Sequence, residues 1–174
     1  MGHYYRSQFS VVAIGTGVAA STGFWEIHQT NPLTSLPLFI WQVQFTMSVG
    51  AALAGNYALR LQREATLVHT GGTAGVIAPV SAAAPATGAT VSIGAATGLT
   101  LGTPTGTGKL AAWGMSTAVL GSSSHVLGPL GERSENWEPL AVVKGTEQLV
   151  LCLDAVTVAM VGGLHGSVYW SEGP

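Results

Sequence analysis

The segment Gly102-Thr103-Pro104-Thr105-Gly106-Thr107-Gly108-Lys109 has the composition of a phosphate-binding loop, and Leu149 to Asp154 has the outline of the acidic strand that follows one. The spacing is wrong. The motif needs glycine at position 103, where Thr103 stands, and a magnesium-binding hydroxyl after the lysine, where Leu110 stands. Gly114 interrupts the next segment, so no helix dipole would face a phosphate. The five histidines, His3, His28, His69, His125 and His165, lack the close ligand pair that zinc sites use, and are read as surface or interface residues. Glu132, Glu135 and Glu138 gather with Arg133 and Trp137 in a turn-rich stretch. Glycoside hydrolysis needs two carboxyls at a set separation, which an exposed loop does not hold. Ser124-His125 sets a nucleophile beside a base, yet neighbours on a strand point to opposite faces. Cys152 lies in an apolar run and reads as a buried, inert thiol. No catalytic, cofactor or metal residue is assigned, and the chain reads as no enzyme.

The elements around these residues alternate in twos. From Phe39 to Gly50, large apolar residues (Phe39, Trp41, Val43, Phe45, Met47, Val49) alternate with Ile40, Gln42, Gln44, Thr46, Ser48 and Gly50. A strand puts the two sets on opposite faces, whereas a helix would spread both around its circumference. Strands are expected over 8–20, 23–29, 38–49, 110–120, 126–130, 140–144, 148–160 and 165–172, separated by Gly, Pro and Asn turns. The pattern over 51–63 fits a helix or a strand equally. Near Asp154 and Ala155 the alternation changes phase, the mark of a bulge or of a strand that changes sheets. Eight or more such strands point to an all-β antiparallel jelly-roll sandwich with long uncharged loops, one domain over 1–174.

Composition narrows the function. Charged residues make up 8% of the 174-residue chain, against about 25% in an ordinary soluble domain. The net charge of -2 offers no basic surface for phosphates, so direct nucleic-acid binding is not expected. Leu33 to Leu59 is uncharged and long enough to span a bilayer, but its period of two argues against a membrane helix. Arg6 and the apolar run Val11 to Ala20 have the outline of a secretory leader, but Gly15, Thr16 and Gly17 interrupt it and a strand is expected. A small envelope β-barrel is a further reading, with apolar side chains toward lipid. Between Glu64 and Lys109 there is no Asp, Glu, Lys or Arg. Small residues over such a length bury too little to offset their chain entropy alone. Short strands are expected near 73–79, 90–93 and 97–101, packed against another subunit.

Trp25-Glu26-Ile27-His28 and Leu59-Arg60-Leu61-Gln62-Arg63, with Gly145-Thr146-Glu147-Gln148-Leu149 and Gly166-Ser167-Val168-Tyr169-Trp170-Ser171-Glu172, resemble small jelly-roll virion proteins of tailed bacteriophages. The resemblance implies a capsid cement or decoration protein, a homotrimer that binds the major capsid protein on the outside of the shell and is assembled in the host cytoplasm. It brings no catalytic residues. Its contacts are expected from the uncharged middle and the N-terminal strand. The alternative is a carbohydrate- or receptor-binding jelly-roll domain of a phage head or tail fibre, working through Trp137.

Overall fold

The computed structural model describes residues 3–11, 23–49, 56–65, 72–94, 104–116, 121–128, 138–156 and 162–173. Twelve strands lie among them: β1 His3–Val11, β2 Gly23–Gln29, β3 Leu38–Val49, β4 Asn56–Glu64, β5 Thr73–Ala74, β6 Ile77–Pro79, β7 Ala89–Ile93, β8 Pro104–Ser116, β9 Gly121–Leu127, β10 Ala141–Val143, β11 Gln148–Val156 and β12 Gly162–Glu172. The ambiguous 51–63 stretch therefore contains a strand. Its Leu59 and Leu61 are fully buried, while Arg60 between them is half-exposed.

Every pairing is antiparallel, and the long strands pair from the outside of the chain inward. β1 lies against β12, β2 against β11, β3 against β9 and β10, and β4 against β8. A long hairpin rolled up in this way is a jelly roll. One sheet runs β10-β3-β12-β1-β6 with β9 also on β3, and the other runs β5-β7-β2-β11-β4-β8. The core lies between the sheets. Trp25, Ile27, Leu59, Leu61, Leu149 and Leu151 of the second sheet meet Tyr5, Phe9, Val43, Phe45, Val168 and Trp170 of the first. Phe9 and Trp25 approach within 6.0 Å across that interior.

Of the register shifts in the two sheets, two bear on the sequence pattern. The phase change near Asp154 is one of them: the register of β11 on β4 shifts between Leu153 and Ala155. The other lies in β3, opposite Tyr169 and Trp170 of β12. It corrects the simple alternation, because Leu38 and Ile40 are fully buried whereas Phe39 and Trp41 are half-buried, and Trp41 Nε1 donates to Ser171 Oγ at 2.9 Å. Gly128 closes against this bulge with φ of +119°; a Cβ there would stand 2.2 Å from the Trp41 carbonyl oxygen. β9 and β10 follow one another in the same direction along this one edge of β3, β9 ending beside the bulge and β10 starting after Leu140, whose N–H donates to the Ile40 carbonyl.

The uncharged middle does form strands at 73–79 and 89–93, while 97–101 lies outside the described residues. Its described strands pair within their own chain. β7 pairs with β2, β5 pairs with β7, and β6 pairs with β1. Gly75 and Val76 cross from one sheet to the other. The insertion is a strap that closes the open side of the roll and covers both first-strand edges, which otherwise present unpaired N–H and C=O groups.

Candidate functional site

The phosphate-loop look-alike takes a different shape from the motif it imitates. Pro104 to Lys109 form the first half of strand β8, and Gly102 and Thr103 lie outside the described residues. Glu132, Arg133, Glu135 and Trp137 also lie outside them, and Glu138 is exposed. His69 is likewise not described. The remaining histidines are dispersed, with His3 exposed at the start of β1 and His28 buried on β2. Among the described residues no group of three or more His, Cys, Asp or Glu gathers as metal ligands would. Ser124 and His125 do point to opposite faces. Ser124 Oγ bonds Thr46 Oγ1 at 2.9 Å on the outer face, while His125 turns toward the Phe45 ring at 5.2 Å. Cys152 is fully buried, with its Sγ 3.7 Å from the Arg60 carbonyl oxygen.

Three arrangements that the sequence reading missed are built by strand register. The first is a buried polar row on the outer side of the second sheet. β11 places Gln148 beside both His28 and Glu64. Gln148 Nε2 and Gln62 Nε2 each donate to one Glu64 carboxylate oxygen at 2.7 Å, and Arg60 Nε donates to Gln62 Oε1 at 2.5 Å. Glu26 Oε1 lies 3.2 Å from His28 Nδ1 two residues along the same strand. A buried carboxylate is tolerated only with such partners. A one-residue slip of β4 or β11 would drive Glu64 or Gln148 into the leucine core, so the row fixes register. Arg60, Gln62 and Glu64 at two-residue spacing carried that signal.

The second is the strap and the end of the roll beside it. Gly75 fits where a Cβ would stand 2.6 Å from Val91 Cγ1, and its N–H donates to the Val91 carbonyl at 2.8 Å. Ser7 Oγ donates to the Val76 carbonyl at 2.9 Å. Farther along, the Glu172 carboxylate accepts from the Gly88 N–H at 2.8 Å and from Thr87 Oγ1. Tyr5 OH donates to the Pro85 carbonyl at 3.1 Å. Burial, and then the Glu172 charge, hold the Tyr5 phenol above its ordinary pKa. The strap thus sits on buried anchors while its outward side chains stay uncovered. Val76 is 79% and Val80 59% exposed, and at the adjoining turn Leu33 is 93% exposed.

The third is the outer face of the first sheet. Cross-strand pairing lines up Gln8, Ser167, Gln44 and Val126 in one row and Ser10, His165, Thr46 and Ser124 in the next. All of these but Ser10, together with Phe45, His125 and Gly166, line a depression of about 410 Å³. Gln44 Nε2 donates to Ser167 Oγ at 2.6 Å, and Ser10 Oγ lies 2.8 Å from His165 Nδ1. Apolar groups face inward and amides and hydroxyls outward here, the reverse of what a lipid-facing barrel needs. No helix among the described residues is long and apolar enough to cross a membrane.

No family model matches the sequence, and no curated protein does. Among solved structures, a chain of the full particle of Deformed Wing Virus is similar to 97% of this chain and 74% of its own length, at 9% identity and a TM-score of 0.29. That score is too low to carry an argument, and the assignment of a jelly roll rests on the strand pairing.

Proposed function

We propose that this chain is a structural virion protein, a jelly-roll subunit without enzymatic activity that associates with copies of itself, as a trimer, and with a capsid shell that it reinforces from outside. The observation that carries this reading is the strap: an ordered, uncharged surface held down by buried bonds, with Val76 and Val80 turned outward. A chain with 8% charged residues has few ionic groups to keep such a surface apart from its neighbours. Contacts repeated over three subunits then give avidity from modest individual affinities. The strap covers the edges of β1 and β2, and its outward side chains make the contact with a neighbour.

Size-exclusion chromatography with light scattering, at micromolar protein, tests the self-association. A trimer that the double variant Val76→Glu, Val80→Glu converts to monomers is the expected result. A wild-type protein that stays monomeric and soluble at those concentrations would sink the proposal. Co-sedimentation with capsid shells stripped of accessory proteins tests the shell contact, with the same double variant as the comparison.

A further inference from the structure

The geometry points to a binding site for neutral carbohydrate on the outer face of the first sheet, in the depression lined by Gln8, Gln44, Thr46, Ser124, His165 and Ser167. This inference does not rest on the assembly reading, although the strap's β6 is the edge strand of the same sheet, beside β1. The carbohydrate site expected from sequence centred on Trp137 instead.

The chemistry of the face selects its ligand. Strand alternation brings amides, hydroxyls, one imidazole and the apolar Val126 to the surface, and neither row contains an Asp, Glu, Lys or Arg. These two rows have no charge of their own to neutralise a phosphate, sulfate or carboxylate, Arg6 standing in the next row, but they offer both donors and acceptors. A neutral polyol needs both, because every sugar hydroxyl donates and accepts. The groups are also arranged in advance. The Gln44–Ser167, Thr46–Ser124 and Ser10–His165 bonds, at 2.6, 2.9 and 2.8 Å, hold these side chains across four strands. Each bond uses only part of its residue's capacity. Gln44 retains its carbonyl oxygen and a second amide hydrogen, and His165 retains Nε2 once Nδ1 is engaged. Fixing side chains before binding lowers the entropy cost of association.

The dimensions agree. Four strands about 4.8 Å apart give rows about 14 Å long, with about 6.8 Å between the rows, and 410 Å³ falls within the size range of small-ligand sites. One row farther along the same face, Tyr169 stands between Arg6 and Gln42. Its half-buried ring gives the apolar face of a sugar a surface to stack on at the margin of the depression.

A printed array of neutral oligosaccharides (gluco-, galacto- and N-acetylglucosamine oligomers), with sialylated and sulfated counterparts alongside, tests the site. The full chain should retain neutral glycans and ignore the anionic ones. Titration of the best neutral binder should weaken at least tenfold in Gln44→Ala and in His165→Ala, with unfolding midpoints close to that of the parent. In the unsubstituted protein, nuclear magnetic resonance should place the largest ligand-induced shifts on the side-chain amides of Gln8 and Gln44, a readout that does not require the variants to fold. The proposal is overturned by no retention at millimolar glycan, by preference for anionic glycans, or by shifts centred on Trp137. It is equally overturned if the two variants bind normally, or if they dissociate an oligomer, which would make this face a contact between copies.

Discussion

Gly166 and Gly121 show how a single position in a strand is dictated by its opposite neighbours. Gly166 pairs with Phe9 on one side and Phe45 on the other. A Cβ on it would stand 2.3 Å from the Gln44 carbonyl oxygen and 2.5 Å from Phe9 Cζ, whereas at Gly121 a Cβ meets nothing within 4 Å among the described residues. Gly166→Ala should therefore lower stability by about 1–3 kcal/mol through overpacking, and Gly121→Ala should leave it within about 0.5 kcal/mol, both read from urea unfolding midpoints. Tyr5 makes a second prediction at this scale. Its folded pKa is raised above 10.0 by burial and then by Glu172, so the folded state favours the neutral phenol. The contribution is fully present below pH 10 and is lost as the pH climbs from there toward the folded value, because the unfolded chain ionises first. Tyr5→Phe should remove this alkaline decline while costing about 1 kcal/mol at neutral pH for the bond to Pro85. An unchanged pH profile in that variant would refute the assignment. None of these positions stood out in the sequence, where Gly166 is one glycine of 24 and Tyr5 one tyrosine of four; their importance comes from what lies across the sheet.

Among the elements, the long strands were legible and the irregular ones were not. β2 and β3 form over the residues their sequence patterns mark, since a run of this kind has few other ways to bury its apolar side chains. The bulge at Trp41 was hidden because Phe39, Trp41 and Val43 continue an apolar row on paper, while register against β12 turns Ile40 inward instead. β4 was ambiguous for a different reason: Leu59 and Leu61 fit a strand, but the buried row of Gln62 and Glu64 hides the usual contrast between faces. The strap depends on Glu172, which accepts the Gly88 N–H at the turn into β7. Glu172→Ala should raise hydrogen exchange at the Gly88 amide and at Thr30, whose N–H donates to the Gly88 carbonyl, and leave the β11 amides protected. Protection lost equally in β11 would mean that the clamp stabilises the whole roll instead of its strap.

At the scale of the molecule, scarcity of charge and closure of the roll have to be taken together. The chain places several of its few ionic groups inside, with Glu26 and Glu64 almost fully buried, which leaves the outer surface still poorer in charge than the composition suggests. Among the described residues an apolar strap borders a neutral polar sheet face, and one proposed function falls on each. Alternation, turn residues and composition by themselves determined an all-β antiparallel roll with little charge, because those features act locally and along one strand at a time. Which strand neighbours which, that the uncharged middle folds back over the edges of β1 and β2, and that Gln8, Gln44 and His165 share one face were decided only in three dimensions. Those contacts join residues far apart in the chain, and their energies depend on pairing register, which no local pattern encodes.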